Sequence, residues 1–173
     1  MKRPRTVTID LDRFLPYRLS VLTNLVSGTI ADAYRRRFGL SIPEWRVLAV
    51  LARHPGLSAA DVAERTRMDA VAVSRAVARL LAAGRLQRSR SRDDRRRSVL
   101  SVSAAGRAVY REVAPLALGY EERLLEALDP AAQGALDAAV AALTARAQML
   151  AEPIPTGGER PRRAGPRRRN EPR

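Results

Sequence analysis

The densest chemistry in this chain is a run of guanidinium groups. Between Arg85 and Arg97 stand seven arginines and two aspartates, in the stretch RLQRSRSRDDRRR. An unpaired guanidinium buried in a protein interior is strongly destabilising, so these side chains must face solvent or a polyanion. Arginine's planar fork of donors matches phosphate oxygens, and its charge suits the narrow minor groove of A·T-rich DNA. Arg88, Arg90, Arg95, Arg96 and Arg97 are therefore candidate DNA contacts. Asp93 and Asp94, set among so many arginines, read as turn formers rather than as a catalytic pair of carboxyls.

Other chemistries find little material. The 173 residues include one histidine and no cysteine, which excludes disulfides, thiol nucleophiles and thiolate metal ligands. No Ser–His–Asp set, glycine-rich phosphate loop or metal-ligand spacing is visible, so the expectation is no enzyme, no cofactor and no metal. His54 precedes Pro55 at a predicted helix end, where capping or a surface position fits better than general-base work. The net charge of +14 points to a polyanionic partner. Nucleic acid and an anionic membrane surface both satisfy that on charge alone. No apolar run approaches the roughly 18–20 residues that span a bilayer. The start, MKRPRTVTIDLD, puts aspartates where a signal peptide needs an apolar stretch. The expected location is the cytoplasm, on the nucleoid when DNA is bound, with no membrane association.

The elements that must position the arginines can be traced along the chain. A first helix is predicted from about Leu15 to Phe38, with Leu15, Leu19, Leu22, Val26 and Ile30 at helical spacing and Gly39 as its stop. Ser41-Ile42-Pro43-Glu44 reads as a capping box opening a second helix, with Trp45, Leu48 and Leu51 inward. Ser58 and Asp61 begin a short third helix, to about Thr66. Arg67-Met68-Asp69 then makes a tight turn, with Asp69 as N-cap of a fourth helix over Ala70–Ala83. Two helices joined by so short a turn make a helix-turn-helix. Residues 85–103 follow as two strand-like runs around the arginine-loaded turn. After Gly106 a long helix is predicted, with Val109, Val113, Leu116 and Tyr120 inward, reaching Asp129-Pro130. A last helix carries Leu136, Val140 and Leu143.

The fourth helix divides cleanly on a helical wheel. Val73, Val77, Leu80 and Leu81 fall on one side; Val71, Arg75, Arg79 and Ala82 lie opposite, with Ala72 and Ser74 on the flanks. A helix read into the major groove needs an apolar back and a front that reaches base edges and phosphates. Arg75 is placed for a guanine edge or a phosphate. Taken alone, the same pattern describes an ordinary solvated helix. Followed by a basic hairpin, it outlines a winged helix-turn-helix, with Val71, Ser74, Arg75 and Arg79 as candidate contacts. From Pro153 the composition changes: PIPTGGERPRRAGPRRRNEPR holds seven arginines and one large apolar residue, Ile154, and predicts a disordered tail over 153–173.

This order of helices and hairpin resembles the MarR family of bacterial transcription regulators, over roughly Leu15 to Leu150. The family's wing carries an Asp-x-Arg turn leading to Leu-Thr-x-x-Gly. Asp94-Arg95-Arg96 and Val102-Ser103-Ala104-Ala105-Gly106 stand at the matching places. Ile42–Leu48 is similar to the family's second helix, and Val73-Ser74-Arg75 to the centre of its recognition helix. The resemblance implies a mainly α fold with a small β-wing. Residues 1–152 would form one domain, its DNA-binding lobe at 41–103 and a helical dimerisation layer at 9–40 and 104–151. It also implies a homodimer on double-stranded DNA, with Arg96 in the minor groove and Asp94 orienting it or a neighbour.

By the same resemblance the protein would be a repressor released by a small aromatic or phenolic anion. Tyr17, Arg18 and Trp45 would form the wall and anion clamp of an effector cleft, within reach of His54. Many members carry Lys, Ser or Thr where this chain has Ala70 and Ala72, which shifts weight to Arg75, the wing and DNA shape. A coating protein without sequence preference or ligand control is the alternative. It would explain the charge but not the separate helical layer.

Overall fold

A computed structural model describes residues 8–90 and 98–151. Its elements run α1 (Leu15–Phe38), α2 (Ile42–Arg53), α3 (Ala59–Thr66), α4 (Ala70–Ala82), β1 (Leu86–Arg90), β2 (Ser98–Val102), α5 (Ala104–Leu125) and α6 (Pro130–Met149). The mainly α fold with a two-stranded wing agrees with the expected class.

Local chemistry sets most boundaries. α1 has proline in its first turn and ends on Gly39, whose φ of 64° is a conformation glycine adopts without penalty. α2 and α3 each open with a complete capping box, Ser41 with Glu44 and Ser58 with Asp61. Asp69 caps α4 by accepting the Ala72 amide at 2.9 Å. α4 closes in a Schellman motif: the Gly84 amide bonds to the Leu81 carbonyl and the Arg85 amide to that of Leu80, at 3.0 and 2.8 Å. α5 begins two residues before Gly106, the last residue ahead of its predicted start. Ser103 is the reason, because its hydroxyl caps the helix by accepting the Gly106 amide at 3.0 Å. α5 ends at Leu125, short of the expected Asp129-Pro130.

The chain falls into two compact units, divided between Glu126 and Ala127. The first has one continuous core. Ala31 and Tyr34 of α1, Leu40 of the link that follows, Val47, Leu48 and Leu51 of α2, Val62 of α3, the inner face of α4, Leu86, Leu100 and Val102 of the wing, and Val113 of α5 are all buried together. The C-terminal half of α1 thus belongs to the core that carries the helix-turn-helix. Its N-terminal half does not: Leu15, Leu19, Leu22 and Leu25 are exposed. The second unit contains α6, which buries none of its residues and exposes Leu136, Val140 and Leu143.

The wing is an antiparallel pair in the register Leu86 opposite Val102, Arg88 opposite Leu100 and Arg90 opposite Ser98. Leu57 adds one further bridge to Leu100. Leu86, Leu100 and Val102 root the hairpin in the core while the outer half of β1 stays in solvent.

Candidate nucleic-acid interface

The interface is built from α4 outward. Val73, Ala76, Val77 and Leu80 are buried and fix the roll of the helix about its axis. That roll leaves Val71, Arg75 and Arg79 exposed along the opposite side, where the wheel put them, together with Ser74 from the flank and Ala78. Val71 is 54% exposed. An aliphatic side chain in that position suits a thymine methyl. The turn into α4 is tight because Arg67 sits in the left-handed region at φ 53°, and Thr66 bonds back to the Val62 carbonyl at 2.7 Å.

Arg75 and Arg79 are one helical turn apart and share a shallow cavity of about 270 Å³ with Ser41, Pro43, Ala72 and Ala76. The cavity sets both guanidinium groups beside the first turn of α2. Glu44 is already engaged there: its carboxylate accepts from the Ser41 amide and hydroxyl, each at 2.6 Å. Both arginines therefore lie near the opening of α2, whose acidic residue is hydrogen-bonded to Ser41.

On the wing, Arg88 and Arg90 are exposed on β1 beyond the buried Leu86. They extend the cationic surface away from the root. The predicted contacts Arg95, Arg96 and Arg97 and the turn residue Asp94 lie outside the described residues, as does the tail from Pro153.

Of the four residues expected to form an effector cleft, two lie in α1, Trp45 lies in α2 and His54 follows its last residue. Tyr17 and Arg18 are exposed in the first turn of α1. Trp45 lies between two tyrosines, its ring centroid 5.8 Å from Tyr34 and 5.7 Å from Tyr110. Such pairs contribute beyond their buried area. Tyr34 is buried, which raises its hydroxyl pKa above the ordinary value against the opposing charges of Arg35 and Arg46. His54 caps α2; desolvation, then the charges of Arg65 and Arg53, lower its pKa.

A second cavity, of about 310 Å³, opens instead between the end of α2, β2 and the start of α5, lined by Leu51, Ala52, Val102, Tyr110, Arg107 and Arg111 among others. Arg107 donates to the Val102 carbonyl at 2.6 Å. Arg107, Tyr110 and Arg111 are not among the residues expected at an effector cleft. Their spacing of three and four residues places them on one side of α5, the signal that could have found them. Among the described residues, no group of acidic or histidine side chains could hold a metal ion, and no helix is long and apolar enough to cross a membrane.

Residues 38–97 match the profile of the MarR family. No curated protein matches the chain in sequence. Among solved structures, a MarR/EmrR family transcriptional regulator from Acinetobacter sp. ADP1 is similar at a TM-score of 0.75 and 24% identity, covering 82% of this chain and 99% of its own. The PcaV transcriptional regulator from Streptomyces coelicolor, in complex with its natural ligand, has a TM-score of 0.66 at 25% identity, over 82% of this chain and 99% of its own. Streptococcus pneumoniae FabT, in complex with DNA, shares the fold at a TM-score of 0.66 and 20% identity, over 82% and 99%. The matched segment runs from the end of α1 past β1, stopping short of β2, and so contains the whole helix-turn-helix. Residues 38–97 are thus similar to the MarR family, and the chain has the fold of MarR-family transcriptional regulators.

Proposed function

We propose that the protein is a sequence-specific repressor that binds double-stranded DNA as a homodimer. α4 enters the major groove, with Arg75 on a base edge and Arg79 and Ser74 toward the backbone. The wing arginines reach the adjacent minor groove. One observation carries this reading: the exposed side of α4 presents Val71, Ser74, Arg75 and Arg79 together, beside a hairpin whose outer half is cationic. The homodimer is supported by apolar surface that the chain leaves uncovered, on the first half of α1 and along α6. FabT, of the same fold, is bound to DNA in its structure.

We propose further that a small aromatic anion releases the DNA. The cavity at Tyr110 supports this, with Arg107 and Arg111 for a carboxylate or phenolate and Leu51 and Val102 for a ring. PcaV, similarly folded, holds its natural ligand.

Selection from a random pool of duplexes by the full chain tests the central reading. A specific dimer enriches a two-fold symmetric sequence with half-site centres about 10 bp apart, one turn of the duplex. A coating protein enriches nothing.

A further inference from the structure

We infer that Arg85 sets the angle at which the wing leaves α4, by tying the root of the wing to the end of α1. Arg85 is the first residue after the glycine that closes α4 and the last before β1. Its amide completes the Schellman motif by donating to the Leu80 carbonyl at 2.8 Å. Its carbonyl accepts the Ser103 amide at 3.0 Å and lies against the Cα of Gly106, where a β-carbon would come within 2.1 Å. Ser103 closes the joint from the other strand, its hydroxyl donating to the Gly84 carbonyl at 2.6 Å. The backbone of Arg85 is thus pinned to α4, to the end of β2 and to the start of α5.

The side chain adds the fourth tie. Its guanidinium donates to the Phe38 carbonyl at 2.5 Å, across 47 residues of sequence. Phe38 is the last residue of α1, and its carbonyl has no acceptor role left inside that helix. The negative end of the helix dipole favours a cation there, and the planar fork keeps its hold with little loss of freedom. Neighbouring groups reinforce the position of α1: Arg37 pairs with Glu112 of α5. Arg85 therefore faces the joint with α1, whereas Arg88 and Arg90 are exposed farther out along β1. It is a positioning residue for the wing. A shift of the last turn of α1 reaches the root of the hairpin through one side chain.

The inference rests on the reading of α4 and the wing as the DNA-binding surface. The test compares the full chain with Arg85→Met, which keeps the stem and removes the donors, and Arg85→Lys, which keeps one charged donor. Two duplexes serve as probes: the sequence enriched by the wild type from a random pool, and a mixed-sequence duplex of equal length. A lost charge-assisted bond should weaken Arg85→Met on the enriched duplex by about tenfold, and Arg85→Lys by about threefold. The mixed-sequence affinity and the salt slope of both variants should stay at wild-type values. In the free protein, amide exchange at Ser103 should accelerate about tenfold in Arg85→Met while Val62 and Val73 keep their protection.

A salt slope reduced by about 0.9 would overturn the inference, because Arg85 would then be a phosphate contact. Unchanged binding and unchanged Ser103 exchange would overturn it as well. If Arg85→Met fails to fold, Arg85→Lys decides by the same readings at their smaller size. A wild type that enriches no sequence refutes the specific-binding reading alone, and the exchange measurement still decides the joint.

Discussion

The Cα of Gly106 approaches the carbonyl oxygen of Arg85 so closely that a β-carbon there would stand 2.1 Å from it, with Val102 Cγ1 at 2.8 Å on the other side. The opposing atom is backbone and cannot swing away. This approach seats the first turn of α5 on the root of the wing, and it explains a glycine inside a helix, where alanine would ordinarily be favoured by about 1 kcal/mol. Gly106→Ala should reverse that preference, costing about 3 kcal/mol because the helix must back away from β1. Denaturant unfolding measures it. A variant as stable as the wild type would show that the joint yields.

The aromatic stack offers an optical report on the cavity. Trp45 is the only tryptophan, and it stacks on Tyr110, which lines the cavity with Arg107 and Arg111. Titration with benzoate should change Trp45 emission saturably and weaken binding to the enriched duplex. Arg111→Gln, which leaves the Arg107 bond to Val102 in place, should weaken benzoate by about tenfold through loss of a charge-assisted contact. If benzoate and its hydroxylated analogues leave emission unchanged, the cavity is not an aromatic-anion site.

His54 makes stability depend on pH in a definite direction. Partial burial and the charges of Arg65 and Arg53 lower its pKa in the folded chain below the ordinary 6.5. The unfolded chain therefore takes up the proton first as pH falls, and the stability present above about pH 6.5 declines below it. His54→Gln should remove this part of the decline. The measurement is the difference in unfolding free energy between pH 7.5 and pH 5.5, for both proteins. An equal decline in the two would mean that His54 does not titrate differently on folding.

What could be read from sequence was what is local. Ser41 with Glu44, Ser58 with Asp61, and Asp69 each satisfy amides within three residues, so the starts of α2, α3 and α4 were legible. The division of α4 into buried and exposed sides followed from its period alone. Contacts across the chain were not legible. Trp45 read as an inward core residue and a candidate effector wall, yet its neighbours Tyr34 and Tyr110 are set by the packing of α1 and α5 on α2. Ser103 looked like the end of a strand because its capping role has no acidic partner three residues on, where Gly106 stands. The bond from Arg85 to Phe38 had no sequence signal at all. The resemblance groups Tyr17 and Arg18 with Trp45; in the structure both are exposed at the first turn of α1.

The central claim is that the exposed side of α4 reads bases, and Arg75 tests it most directly. Affinities of the wild type and Arg75→Ala should be measured on the enriched duplex and on every single-base variant of it. The account predicts that the wild type discriminates at one position per half-site by about 1–3 kcal/mol, and that Arg75→Ala loses discrimination there and nowhere else. A uniform loss across all duplexes, with a shallower salt slope, would make Arg75 a phosphate contact and contradict the claim.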